Sequence, residues 1–194
     1  MSDKVLLTAF QPFGAKGALS GNNISKQVCD VLAKEQGGRV NYVVLDVGET
    51  GESQLADALA MNPRGVLLSG EDTSMIGPQV RIEPKAYDPA QQLNLTIPKL
   101  VPWGVLSLRL PGASSLSSDF AEEAVAAAGG RKVAFQTGIG TFWCNRIYYR
   151  ALQWGDPRSR PVLFVHLGVF GQLNEKLATM RAILELMLAN VGLR

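Results

Sequence analysis

Short apolar runs alternate along this chain with stretches in which apolar side chains return every three or four residues. Lys4-Val-Leu-Leu-Thr8, the β-branched run at 40–47 and Gly65-Val-Leu-Leu-Ser69 have the length and character of buried strands. Between the first two, Ile24, Val28, Val31 and Leu32 repeat at helical spacing behind Asn22 or Asn23, either of which suits an N-cap. A second helix is predicted from about residue 52 to 59. Residues 70–102 are less regular; two short alternating runs, 79–82 and 92–97, predict a hairpin-like excursion rather than a βα unit. Strands are then predicted at 105–110, 132–136 and 161–166. Asp119 with Glu122 three residues on predicts a capped helix, and another is predicted over 145–154. Leu173, Leu177, Met180, Leu184, Met187 and Leu188 form one core-facing stripe of a final helix.

Repeated strand–helix alternation predicts an α/β fold, a three-layer α/β/α sandwich around a mostly parallel, mixed central sheet. With 194 residues and no repeat or linker, one domain over 1–194 is expected. Net charge is +2 and the basic residues are scattered, which argues against nucleic acid as a partner. No run approaches a membrane span, and the N-terminal apolar stretch is too short for a signal peptide, so a cytoplasmic protein is expected. Cys29 and Cys144 are the only cysteines and His166 the only histidine, so neither a disulfide framework nor a transition-metal site is expected.

The chemistry-bearing residues are few. Cys144 lies where the strand at 132–136 gives way to a helix, after a loop holding Gly138 and Gly140. A thiol at a helix N-terminus feels the positive end of the dipole, which favours the thiolate. His166 ends a predicted strand, and in open α/β sheets ligands gather at the carboxyl ends of strands. A thiol and an imidazole at one sheet edge make a nucleophile–base pair. Burial of both in a core is the commoner arrangement for such residues, and at this level both readings stand. Cys29 sits inside a helical stripe and reads as structural. Phe10 and Phe13 fall in a Gly/Pro-rich loop after the first strand, either pinning the loop or forming a platform for a flat ligand.

Taken together, these segments resemble a known family. Thr8-Ala-Phe10-Gln-Pro-Phe13-Gly14 resembles the N-terminal signature of the pyroglutamyl peptidase I (pyrrolidone-carboxylate peptidase) family. Gly138-Ile-Gly140-Thr-Phe-Trp143-Cys144-Asn145, with Tyr148 or Tyr149 downstream, resembles its nucleophile segment. Phe164-Val-His166-Leu resembles its histidine segment, and Arg81-Ile-Glu83 falls where its catalytic acid lies. The resemblance implies a cysteine exopeptidase that removes N-terminal pyroglutamate through a Cys144–His166–Glu83 triad, with no cofactor. It also implies that Phe10 and Phe13 sandwich the lactam, with Glu71 and Trp143 beside the substrate. The partners implied are pyroglutamylated peptides or small amides, and a homo-oligomer, for which the apolar stretch 93–106 offers an interface.

The chain departs from the family pattern at three places. Gly70-Glu71-Asp72-Thr-Ser-Met-Ile-Gly77 replaces a Gln-containing glycine-rich stretch, so Glu71 stands where Gln is usual. Residues 84–100 contain no arginine, and Leu93 falls near the position of the one credited with helping the oxyanion. Gly168 replaces a proline after the histidine. Losing one oxyanion donor costs about 10²–10³ in kcat. These departures leave two alternatives: a related cysteine amidase with altered small-acyl specificity, and a weakened homologue that binds a ligand or partner.

Overall fold

The computed structural model describes residues 2–12, 23–73, 75, 80–96, 105–109, 114–129, 133–135 and 143–193. The first half runs β1 (Val5–Phe10), α1 (Ile24–Gln36), β2 (Val40–Leu45), α2 (Glu49–Ala60) and β3 (Gly65–Asp72). Five short strands follow: β4 (Val80–Glu83), β5 (Lys85–Tyr87), β6 (Gln92–Thr96), β7 (Val105–Arg109) and β8 (Ser115–Ser117). The chain then forms α3 (Ala121–Ala127), β9 (Val133–Phe135), α4 (Trp143–Gly155), β10 (Val162–Gly168) and α5 (Leu173–Asn190).

Six strands make one sheet in the order β2-β1-β3-β10-β4-β9. β2, β1, β3 and β10 run parallel, whereas β4 is antiparallel to β10 and parallel to β9. β1, β3 and β10 are buried on both faces, which is why they read as continuous apolar runs, whereas the edge strand β2 is half-buried over its middle. Alternate side chains feed two separate cores. Val5, Leu7, Leu67, Leu163 and Val165 face α1, α3 and α5; Leu6, Phe10, Val66, Leu68 and Phe164 face α2 and α4. The architecture is the expected three-layer α/β sandwich.

Local chemistry explains several boundaries. Asn23 caps α1, its Oδ1 accepting from the backbone N–H of Ser25 at 2.9 Å and of Lys26 at 3.4 Å. The helix stops at Gly37, whose φ of 53° favours glycine. Asp119, expected as the cap of α3, instead lies in a turn before it; Phe120 holds the N-cap position without a side-chain hydrogen bond. The helix begins one residue too late for the Asp119 carboxylate to serve as N-cap. Phe10, expected in a loop, is the last residue of β1 and is buried among the α2/α4 core residues. Phe13 lies outside the described residues, as do 97–104 of the apolar stretch expected at an interface.

The irregular middle of the chain differs most from expectation. The run at 79–82 does not enter a hairpin: β4 inserts into the main sheet between β10 and β9. β6 pairs instead with β7, and β5 with β8, as two small antiparallel sheets. Short alternating runs specify strand character but not partners, because pairing is decided by what lies across the sheet.

Cys29 has the structural role read from its stripe. It is fully buried, its sulfur lies 3.2 Å from Ser69 Oγ, and burial pushes its thiol up to about 12. The unfolded chain ionises this group near the ordinary thiol value, so between about pH 9 and 12 the unfolded state binds fewer protons than the folded one. Stability is therefore full below about pH 9 and falls as pH rises, by about 1.4 kcal/mol per pH unit for this thiol. Urea unfolding at pH 8 and pH 10 should show a smaller alkaline loss for Cys29→Ala than for the wild type.

Candidate active site

β10 and β3 lie side by side at the centre of the sheet, with His166 in register with Gly70 and Gly168 with Asp72. On the other side, β4 runs antiparallel to β10, placing Arg81 opposite His166 and Glu83 opposite Phe164. Because side chains alternate, Gly70, Arg81, Glu83, Phe164 and His166 all belong to the face covered by α2 and α4. That shared face is what makes a site.

His166 Nδ1 lies 2.8 Å from Glu83 Oε1, and Glu83 is fully buried. The His166 ring rests on Phe164, with centroids 4.8 Å apart and planes tilted by 57°. Arg81 is the residue that the sequence reading passed over. Its guanidinium spends each nitrogen on a different group: Nε donates to Glu83 Oε1 at 2.7 Å, Nη1 meets Asp72 Oδ2 at 2.7 Å, and Nη2 lies 3.2 Å from His166 Nδ1. An arginine two residues from Glu83 on one strand necessarily shares its face, and that spacing was the available signal.

Cys144 is delivered by α4, which begins at Trp143, so the thiol stands in the first turn. Two buried side chains of that helix fix its start. Asn145 clasps the backbone of Tyr87, accepting from its N–H and donating to its carbonyl, both at 2.8 Å. Tyr148 donates to the backbone carbonyl of Glu83 at 2.8 Å, tying the cysteine's helix to the strand of the acid. Cys144 is partly exposed as a residue, but its sulfur is turned toward Gly70: a Cβ built on Gly70 would lie 3.3 Å from Sγ and 2.9 Å from Phe164 Cζ. The sulfur thus lies over Gly70, the register partner of His166, whose missing side chain leaves it space.

The electrostatics reverse one expectation. Burial pushes the Cys144 thiol up to about 12, and the Glu83 and Asp72 carboxylates push the same way. The residue's own backbone N–H and the Arg81 charge pull it down by less. The helix N-terminus therefore does not make this a resting thiolate, because desolvation and two nearby carboxylates outweigh it.

The remaining expected site residues are distributed unevenly. Phe10 lies on the same face of the sheet but within the core. Trp143 opens α4, its ring covered by the Arg146 guanidinium at 4.7 Å. Glu71 alternates to the opposite face, where its Oε2 accepts from the Ile24 N–H at 2.8 Å at the start of α1. Gly138 and Gly140 of the loop before Cys144, and Phe13, lie outside the described residues; for Leu93 only the backbone is described. Among the described residues no cluster of His, Cys, Asp and Glu could hold a metal ion, and no helix is long and apolar enough to cross a membrane.

No family model matches the chain, and no curated protein matches its sequence. Solved structures do match. Pyrrolidone carboxyl peptidase from Thermus thermophilus is 26% identical with a TM-score of 0.73, covering 93% of this chain and 98% of that one. The enzyme from Thermococcus litoralis is 16% identical at TM-score 0.74, covering 97% and 94%. That from Pyrococcus furiosus is 17% identical at TM-score 0.75, covering 97% and 99%. The fold is that of the pyrrolidone carboxyl peptidases over nearly the whole length of both chains. The resemblance read from the motifs therefore extends to the tertiary fold, at 16–26% identity.

Two outcomes test this geometry. With its thiol protonated until about pH 12, Cys144 should react with iodoacetamide at a rate that climbs steadily from neutral to alkaline pH, without a plateau. Gly70→Ala should crowd both the Phe164 ring and the sulfur. It should cost about 1–3 kcal/mol in urea unfolding and slow the alkylation of Cys144.

Proposed function

We propose that this chain is a cysteine peptidase of the pyroglutamyl peptidase I type, hydrolysing the amide bond after an N-terminal pyroglutamyl residue. The observation that carries this reading is the buried contact between Glu83 and His166 on the strand face where Cys144 Sγ meets Gly70. Cys144 is the nucleophile. As it attacks the pyroglutamyl carbonyl, its proton passes to His166, which returns it to the leaving amine; water then hydrolyses the acyl-enzyme by the same path in reverse. Glu83 keeps the Nδ1 proton of His166 directed away from the thiol, leaving Nε2 as the base.

A thiol held protonated at rest fits this general-base route, in which the charge on sulfur develops only during attack. Phe10, Phe13 and Trp143 are proposed to border the substrate. An aromatic slot accepts the uncharged lactam more readily than a free glutamate with its charged amine. The reading also includes cytoplasmic location and a homo-oligomer.

Glu71 supports a second reading. Its carboxylate is held at the carboxyl end of β3 by the α1 N-terminus, where the family usually has Gln. A fixed negative charge near that edge favours a related amidase whose preferred acyl group is not pyroglutamyl.

A panel of N-acyl aminocoumarins separates the readings. Under reducing conditions pyroglutamyl aminocoumarin should be the best substrate, with Cys144→Ala and His166→Ala each lowering kcat at least about 10³-fold. A different best acyl group would favour the amidase, and no turnover of any member at high enzyme concentration would sink both.

A further inference from the structure

His166 Nδ1 faces two partners that make opposite demands on it. Glu83 Oε1, 2.8 Å away, can only accept, so it calls for a proton on Nδ1. Arg81 Nη2, 3.2 Å away, can only donate, so it calls for a bare lone pair there. One nitrogen cannot satisfy both. With Nδ1 protonated, Nε2 is free to act as a base; with Nδ1 accepting from Arg81, Nε2 carries the proton and cannot. The imidazolium, which carries protons on both nitrogens, directs an N–H at a guanidinium already charged.

Arg81 and Glu83 on β4 face Nδ1, and Phe164 lies against the ring; Gly70 on β3 is the register partner of His166, with Cys144 Sγ of α4 beside it. Asp72 holds Arg81 Nη1 at 2.7 Å, so the guanidinium is anchored independently of the histidine. Arg81 and Asp72 are largely buried, with 16% and 13% side-chain exposure, which limits screening of the charge by water.

We propose that Arg81 is a positioning residue that keeps His166 as the neutral imidazole at rest, by occupying Glu83 Oε1 and setting a fixed positive charge beside Nδ1. The resting pair is then thiol and neutral imidazole, rather than thiolate and imidazolium. Glu83, shared between His166 and Arg81, stabilises a charged histidine less than an unshared carboxylate would. This inference deepens the proposed function by stating how that site's base is poised, and rests on it for its relevance to catalysis.

The single histidine makes the test direct, since ¹⁵N-histidine labelling of the untagged chain reads one ring without assignment. In the wild type at neutral pH, long-range ¹H–¹⁵N spectra should show a neutral ring protonated at Nδ1. In Arg81→Gln the imidazolium signature should appear at the same pH. Arg81→Lys, which keeps the charge, should return the spectrum toward the wild type.

An imidazolium in the wild type at neutral pH would overturn the proposal, whether or not Arg81→Gln folds. So would an Arg81→Gln spectrum equal to that of the wild type. The spectrum needs no turnover, so failure of the peptidase reading in the aminocoumarin panel is a separate result.

Discussion

The antiparallel pairing of β4 with β10 is the constraint on which the candidate site depends. β10 alone would present His166 to solvent at a sheet edge with no carboxylate beside it. β4 brings Glu83 and Arg81 to the same face, in register with Phe164 and His166. It also hides Glu83 completely, so the carboxylate and the imidazole meet where water cannot screen them. An unpaired carboxylate there would be costly; Arg81 and His166, both meeting Oε1, offset part of that cost, while Oε2 is buried without a hydrogen-bond partner among the described residues.

Among the described residues, hydrogen-bonded tethers join the rest of the site to this pairing. Tyr148 joins α4 to the carbonyl of Glu83, and Asn145 joins the same helix to Tyr87 on β5. β5 in turn pairs with β8, and Ser118 just beyond it donates to the Val162 carbonyl at the start of β10. The helix that carries Cys144, the strand of His166 and the strand of Glu83 thus form one hydrogen-bonded unit. Rigid elements place reacting groups more reproducibly than loops do, and catalysis of this type depends on placement.

The same geometry carries a cost for nucleophilicity. Turning Sγ inward over Gly70 brings it under the influence of Glu83 and Asp72, so the thiol stays protonated at rest. A helix N-terminus is a weak lever, effective within its first turn, and desolvation with two carboxylates overrides it. The proposed chemistry therefore calls for His166 as the base, and the proposed role of Arg81 follows from that demand.

Much of this protein was legible in its residues. The apolar runs at β1, β3 and β10 and the stripe of α5 are local patterns, and burial on both faces of a parallel sheet leaves no other composition open to such strands. Asn23 as a cap and Cys29 as a core thiol likewise follow from their immediate neighbours. The ordered segments around Phe10, Glu83, Cys144 and His166 were also visible, because their residue types are uncommon in those settings. What the sequence could not decide was anything set by the far side of a sheet: that β4 enters it antiparallel, that Glu71 turns to α1, and that Phe10 is core. The roles of Arg81 and Gly70, and the protonated state of Cys144, belong to the same group. Strand pairing joins residues some eighty positions apart, and charge and burial act through space, so only the tertiary structure could place Arg81 against His166 and settle the state of the thiol.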